Sequence, residues 1–125
     1  MQCSGQKFIG YNLLMLTLKK PKVLFWTTHA HAKMRFYGLS EQRVRRIIHS
    51  PKRIQEGIAP KTIAMMQPNV VHREKGKETW KYELWVMIKE EKERRKIISA
   101  WRYPGMTKAG EPLPPEILRE LKSVL

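Results

Sequence analysis

The chain has 125 residues, with 25 Lys and Arg against 11 Glu and no Asp, and a formal net charge of +14. That length is one small domain, and an apolar fraction of 42% can bury a core, which excludes wholesale disorder. A single cysteine, Cys3, excludes a disulfide framework and a cysteine-built zinc site. The lack of aspartate removes Asp-based triads and the usual carboxylate clusters for Mg²⁺ or Ca²⁺, so no metal and no cofactor are expected.

In chain order, residues 8–18 (FIGYNLLMLTL) form an apolar run, too short to span a bilayer. A signal-peptide core is one reading, but no small-residue cleavage site follows. An extra strand, or a leader ahead of a start at Met15, are the others, and a cytoplasmic protein is expected. Residues 22–28 (KVLFWTT) predict a strand, and His29 to Tyr37 a helix with Ala30, Met34 and Tyr37 on one face. Gly38 stops that helix and Ser40 is a good N-cap for the next. The second helix buries Val44, Ile47 and Ile48, turns Gln42, Arg46 and His49 outward, and ends at Pro51.

Strands are predicted at 61–67, 70–73, 80–89 and 96–103, with the charged stretch 90–95 as a hairpin turn. In 80–89, Tyr82, Leu84, Val86 and Ile88 share one face, and Trp85 and Met87 the other. A Pro- and Gly-punctuated arm occupies 104–115, and Ile117, Leu118, Leu121 and Leu125 mark a terminal amphipathic helix. The expected fold is α+β, with two N-terminal helices packed on one face of an antiparallel sheet of about four strands, then a C-terminal helix. Its divisions are 1–21, a leader or extra strand; 22–103, the domain; and 104–125, arm and helix.

Charge is uneven: residues 19–53 hold ten basic side chains and only Glu41. One-sign clustering of this kind points to a polyanion, nucleic acid before an anionic membrane, although a solvated, solubilising face is the plainer alternative. Arg43, Arg46 and Lys52 are the candidate backbone contacts there.

The stretch 27–40 (TTHAHAKMRFYGLS) carries whatever chemistry there is. His29 with Lys33, and His31 with Arg35, are four apart and stack along helix flanks. An imidazole that titrates near neutrality, beside a fixed cation, suits phosphodiester cleavage without a metal. The alternative is that His29 merely caps or packs at the helix start.

This stretch resembles a bacterial domain family of unknown function that begins with a strand and the pattern T-x-H-A-x-x-R-M-x-x-R-G-[IL]-S, followed by an amphipathic helix and a proline, matched here by Thr27, His29, Ala30, Met34, Gly38, Leu39, Ser40 and Pro51. The strand KIISAWR (96–102) is similar to the closing strand of the BrnT branch of RelE-like toxins. The likeness covers about residues 22–103 and implies a RelE-like fold and an RNA-binding protein, a metal-free endoribonuclease of toxin type. In that reading His29 is the general acid or base, and Lys33, Arg35 and Arg102 hold phosphate. Arg73, Lys81 and Arg102 contribute from the sheet, and Trp101, with Trp85 and Tyr103, stacks on bases. The implied partners are RNA, on or off the ribosome, and an antitoxin protein. Two departures matter: the pattern's first arginine is Lys33 and its second is Tyr37. Loss of that second clamp favours binding without cutting. The rival readings are a non-catalytic nucleic-acid-binding module and a protein whose arm and terminal helix dock on a partner or on a second copy.

Overall fold

A computed structural model describes residues 22–125. The apolar run 8–18 and the choice of start at Met15 lie outside the described residues. The elements are β1 (Val23–Trp26), α1 (Thr28–Tyr37), α2 (Glu41–His49), β2 (Arg53–Glu56), β3 (Thr62–Pro68), β4 (His72–Glu74), β5 (Lys77–Thr79), β6 (Tyr82–Glu90), β7 (Arg94–Pro104) and α3 (Pro115–Val124).

Local signals set the helix ends. The Thr27 hydroxyl accepts from the Ala30 amide at 3.0 Å, Gly38 closes α1 in the left-handed region, and the Ser40 hydroxyl accepts from the Arg43 amide at 3.0 Å. Thr27 also donates to the Ile97 carbonyl at 2.8 Å, which pins the start of α1 to β7.

The fold is α+β, with three helices and a five-stranded mixed sheet in the order β1-β7-β6-β3-β2. This corrects the expected all-antiparallel sheet of about four strands. β1 runs parallel to β7, pairing Val23–Trp26 with Arg94–Ile97. Strand β2 was not expected, because it is short and buries only Ile54 fully. The segment expected at 70–73 does not join the sheet. It contributes β4, which pairs only with β5 in an exposed hairpin whose turn residues Lys75 and Gly76 both have positive φ.

A bulge decides what each face of β7 presents. Met87 pairs with Ser99 and Ile88 with Ile97, so Ile98 is the extra residue. Past it the alternation is inverted: Ala100 and Arg102 lie on the face of Leu84 and Val86, and Trp101 on the face of Trp85 and Met87. Two core clusters result. The first joins Ala30 and Met34 of α1 and Val44, Ile47 and Ile48 of α2 to Ile63, Met65, Leu84, Val86, Ile88 and Ile97. The second joins Trp80, Trp85, Met87, Ile98 and Trp101 to Leu113 of the arm and Leu121 of α3. The helices are thus divided between two faces rather than gathered on one.

Candidate nucleic-acid interface

Helix spacing brings His29 and Lys33 together as their positions predict, but a third group joins them. Lys33 Nζ donates to Glu120 Oε1 of α3 at 2.8 Å. His29 Nε2 lies 3.8 Å from Glu120 Oε2, an ionic separation too long for a hydrogen bond, and this buried nitrogen has no hydrogen-bond partner among the described residues. Lys33 Nζ also stands 5.2 Å from the ring centres of both Phe36 and Tyr37. Arg35 is exposed, and its side chain makes no polar contact among the described residues, so it does not join this group. His31 belongs to another flank: it contacts Glu41 at 3.2 Å and stacks on Trp26.

Arg102 sits apart from His29. Displaced to the near face by the bulge, it donates to the Tyr37 carbonyl at 2.9 Å, and its guanidinium lies 4.9 Å over the Tyr82 ring. Arg43 donates to Gln67 Oε1 at 3.0 Å and reaches the Pro68 carbonyl at 3.5 Å. Burial, and then the neighbouring Arg46, hold the Arg43 guanidinium below the usual arginine range. Gln67 donates in turn to the Arg46 carbonyl at 3.1 Å, which locks this end of β3 to α2. Beside Tyr82, Lys81 lines an open groove of about 170 Å³ with Asn69, Val70 and His72. Arg43, Arg46, Lys81 and Arg102 therefore form a rim around Tyr82 and the end of β3, and none of the four is paired with a glutamate among the described residues.

Lys52 and Arg73 are brought together, but by an acid: Glu78 takes Lys52 Nζ at 2.6 Å and Arg73 Nη2 at 2.9 Å. Those two hydrogen bonds, Lys52's first, hold the Glu78 carboxyl below the usual carboxylate range. Trp101 is the clear correction. It is 1% exposed and stacks on Trp85 with ring centres 5.9 Å apart, so it belongs to the core and cannot meet a base. Sequence reasoning missed Glu120 and Tyr82. Glu120 borders the apolar stripe of α3 next to Leu121, and nothing in its spacing marks it as a partner for residues 87 and 91 positions earlier.

Comparison with protein-family models, with curated proteins and with solved structures finds no match to this chain. Among the described residues, no helix is long and apolar enough to cross a membrane, and no three His, Cys or Glu side chains gather as a metal site would require.

Proposed function

We propose that this chain is an RNA-binding protein of RelE-like type, with α1 and α2 packed on its sheet and a phosphodiester backbone lying along Arg43, Arg46, Lys81 and Arg102. One observation carries the reading: these four cations share a rim, and among the described residues no glutamate pairs with them. Unpaired cations on a surface release counterions when they meet phosphates, which gives affinity without reading sequence. Tyr82 and the groove beside it supply an aromatic and polar wall where a single-stranded nucleotide can settle.

The test is salt dependence. Affinity for a short single-stranded RNA should fall with a log–log slope of roughly several units. The triple variant Arg46→Glu, Lys81→Glu, Arg102→Glu should flatten it, since all three side chains are exposed. A folded triple variant with an unchanged slope would end this reading.

Cleavage of toxin type, in the cytoplasm and under the control of an antitoxin, is the second reading. The pairing of His29 with Lys33 on one helix flank favours it. A neutral imidazole there takes a proton from a ribose hydroxyl while Lys33 meets charge developing on phosphate. His29→Ala should abolish cleavage in EDTA while the rim still binds RNA, with His31→Ala as control. If wild-type protein cuts no RNA under those conditions, only the binding module stands.

A further inference from the structure

We infer that His29 and Lys33 form a phosphate seat that the Glu120 carboxylate now fills, so that α3 is a built-in competitor of the nucleic-acid backbone. The identity of the anion rests on the RNA-binding reading; the seat itself rests on geometry.

Three observations converge. The seat holds an anion already: one carboxylate oxygen is bonded to Lys33 at 2.8 Å and the other faces His29 at 3.8 Å. It holds that anion imperfectly, because His29 Nε2 is buried there without a hydrogen bond. A carboxylate fixed on a helix serves one donor well and strands the second, whereas a free phosphodiester can turn its tetrahedral oxygens to both. The stranded nitrogen costs free energy while α3 is down, and a phosphate in the seat removes that cost.

The position of the seat also suits the backbone. Lys33 stands against the Tyr37 ring, and the Tyr37 carbonyl holds Arg102. A strand lying on the rim at Arg102 therefore reaches the seat by passing a single residue. Tyr37, which occupies the place of an arginine in the pattern this chain resembles, is the divide between the open rim and the filled seat.

Finally, α3 is held in a way that permits release. Among the described residues its N-terminus has no side-chain cap, and its side-chain polar bonds to the body of the domain run through Glu120. Its apolar hold is Leu121, fully buried, with Ile117 and Leu118 partly so. A helix of ten residues is marginal by itself. When the carboxylate is displaced, what still holds α3 is Leu121 with Ile117 and Leu118, while the arm before it stays fixed to the sheet through Thr107 and Leu113.

The experiment uses the full chain and a labelled single-stranded oligoribonucleotide in EDTA at low salt. Glu120→Ala keeps a helix former on α3 and empties the seat. Glu116→Ala on the same helix makes the same change in net charge and touches nothing in the seat. Glu120→Ala should bind the RNA at least about fivefold more tightly than Glu116→Ala, as expected for unmasking one backbone contact. The gain should vanish when Lys33→Ala is added to Glu120→Ala. Equal affinities for Glu120→Ala and Glu116→Ala, beside clear binding by wild type, would overturn the inference and leave the RNA reading in place.

If no variant binds RNA, the RNA reading fails and the seat is judged with inorganic phosphate. Diethyl pyrocarbonate should modify His29 several-fold faster in Glu120→Ala than in Glu116→Ala, and phosphate should slow that reaction in Glu120→Ala. Equal rates, or no protection by phosphate, would overturn the seat.

Discussion

The two faces of the sheet treat polar groups differently. Toward α1 and α2 the interior is mainly aliphatic, from Ile47 and Val44 down to Met65, Val86 and Ile97, and the buried cation Arg95 is met by Glu90. Toward α3 the interior contains a carboxylate. Glu83 is wholly buried and accepts from Trp80 Nε1 and Trp85 Nε1, both at 2.9 Å, and from the Thr107 amide and hydroxyl at 2.8 and 2.7 Å. Thr107 is held in turn by Arg53, through its hydroxyl at 2.5 Å and its carbonyl at 2.9 Å. The far face thus uses its tryptophans and a buried carboxyl group to fix the arm, while the near face carries at its edge Arg43, Arg46, Lys81 and Arg102, which no glutamate meets among the described residues.

The largest effect should come from the buried carboxylate. Glu83→Ala strands two indole donors and both groups of Thr107, and each unsatisfied buried donor costs about 1–3 kcal/mol, so a loss of roughly 4 kcal/mol or more is expected in urea unfolding. Glu83→Gln keeps one acceptor oxygen and should recover part of it. On the near face, Ile47→Ala removes apolar volume and leaves no polar group stranded, with a cost of about 2–4 kcal/mol. The contrast between the faces breaks if Glu83→Ala proves no worse than Ile47→Ala.

A smaller loss should follow Thr27→Val, which keeps the shape and deletes the hydroxyl. That oxygen caps α1 through the Ala30 amide and donates to the Ile97 carbonyl of β7, so it ties helix to sheet at the margin of the near face. The expected cost is about 1 kcal/mol, read as a lowered Tm. A null result would mean that the apolar contacts of Ala30 and Met34 alone seat α1.

Much of this fold is legible in the sequence because its signals are local. Gly38, Ser40 and Pro51 punctuate the helices, and the alternation of residues 82–88 names both faces of β6. The parallel partnership of β1 with β7 joins segments about seventy residues apart, and no local pattern announces it. The bulge at Ile98 is equally silent, yet it sends Trp101 into the core and Arg102 to the surface. The burial of Trp101 therefore follows from the register of β7, which no local pattern encodes. For the candidate site, spacing on one helix predicts the pairing of His29 with Lys33, whereas Glu120 arrives from a distant helix and stands against both.

The smallest effect should come from Glu78, a surface carboxylate that gathers Lys52 and Arg73 beneath the β4–β5 hairpin. Its folded-state pKa lies below the usual glutamate value of 4.5, chiefly through the Lys52 hydrogen bond and then Arg73's. A carboxylate depressed in this way adds stability that is fully present above its unfolded pKa and is lost as pH falls through the folded value. The Tm difference between wild type and Glu78→Gln should therefore close on acidification through that window. High salt should shrink it at neutral pH, because exposed ion pairs are screened. The same substitution releases two cations to solvent, which sharpens the distinction between paired and unpaired charge. RNA affinity at low salt should rise in Glu78→Gln, by less than in Glu120→Ala, because the hairpin lies beside the rim whereas the seat adjoins Arg102 through Tyr37. An unmoved affinity, with the Tm difference behaving as described, would set the path of the RNA along Arg43, Arg46, Lys81 and Arg102 alone and leave Lys52 and Arg73 as ties between the hairpin and the end of α2.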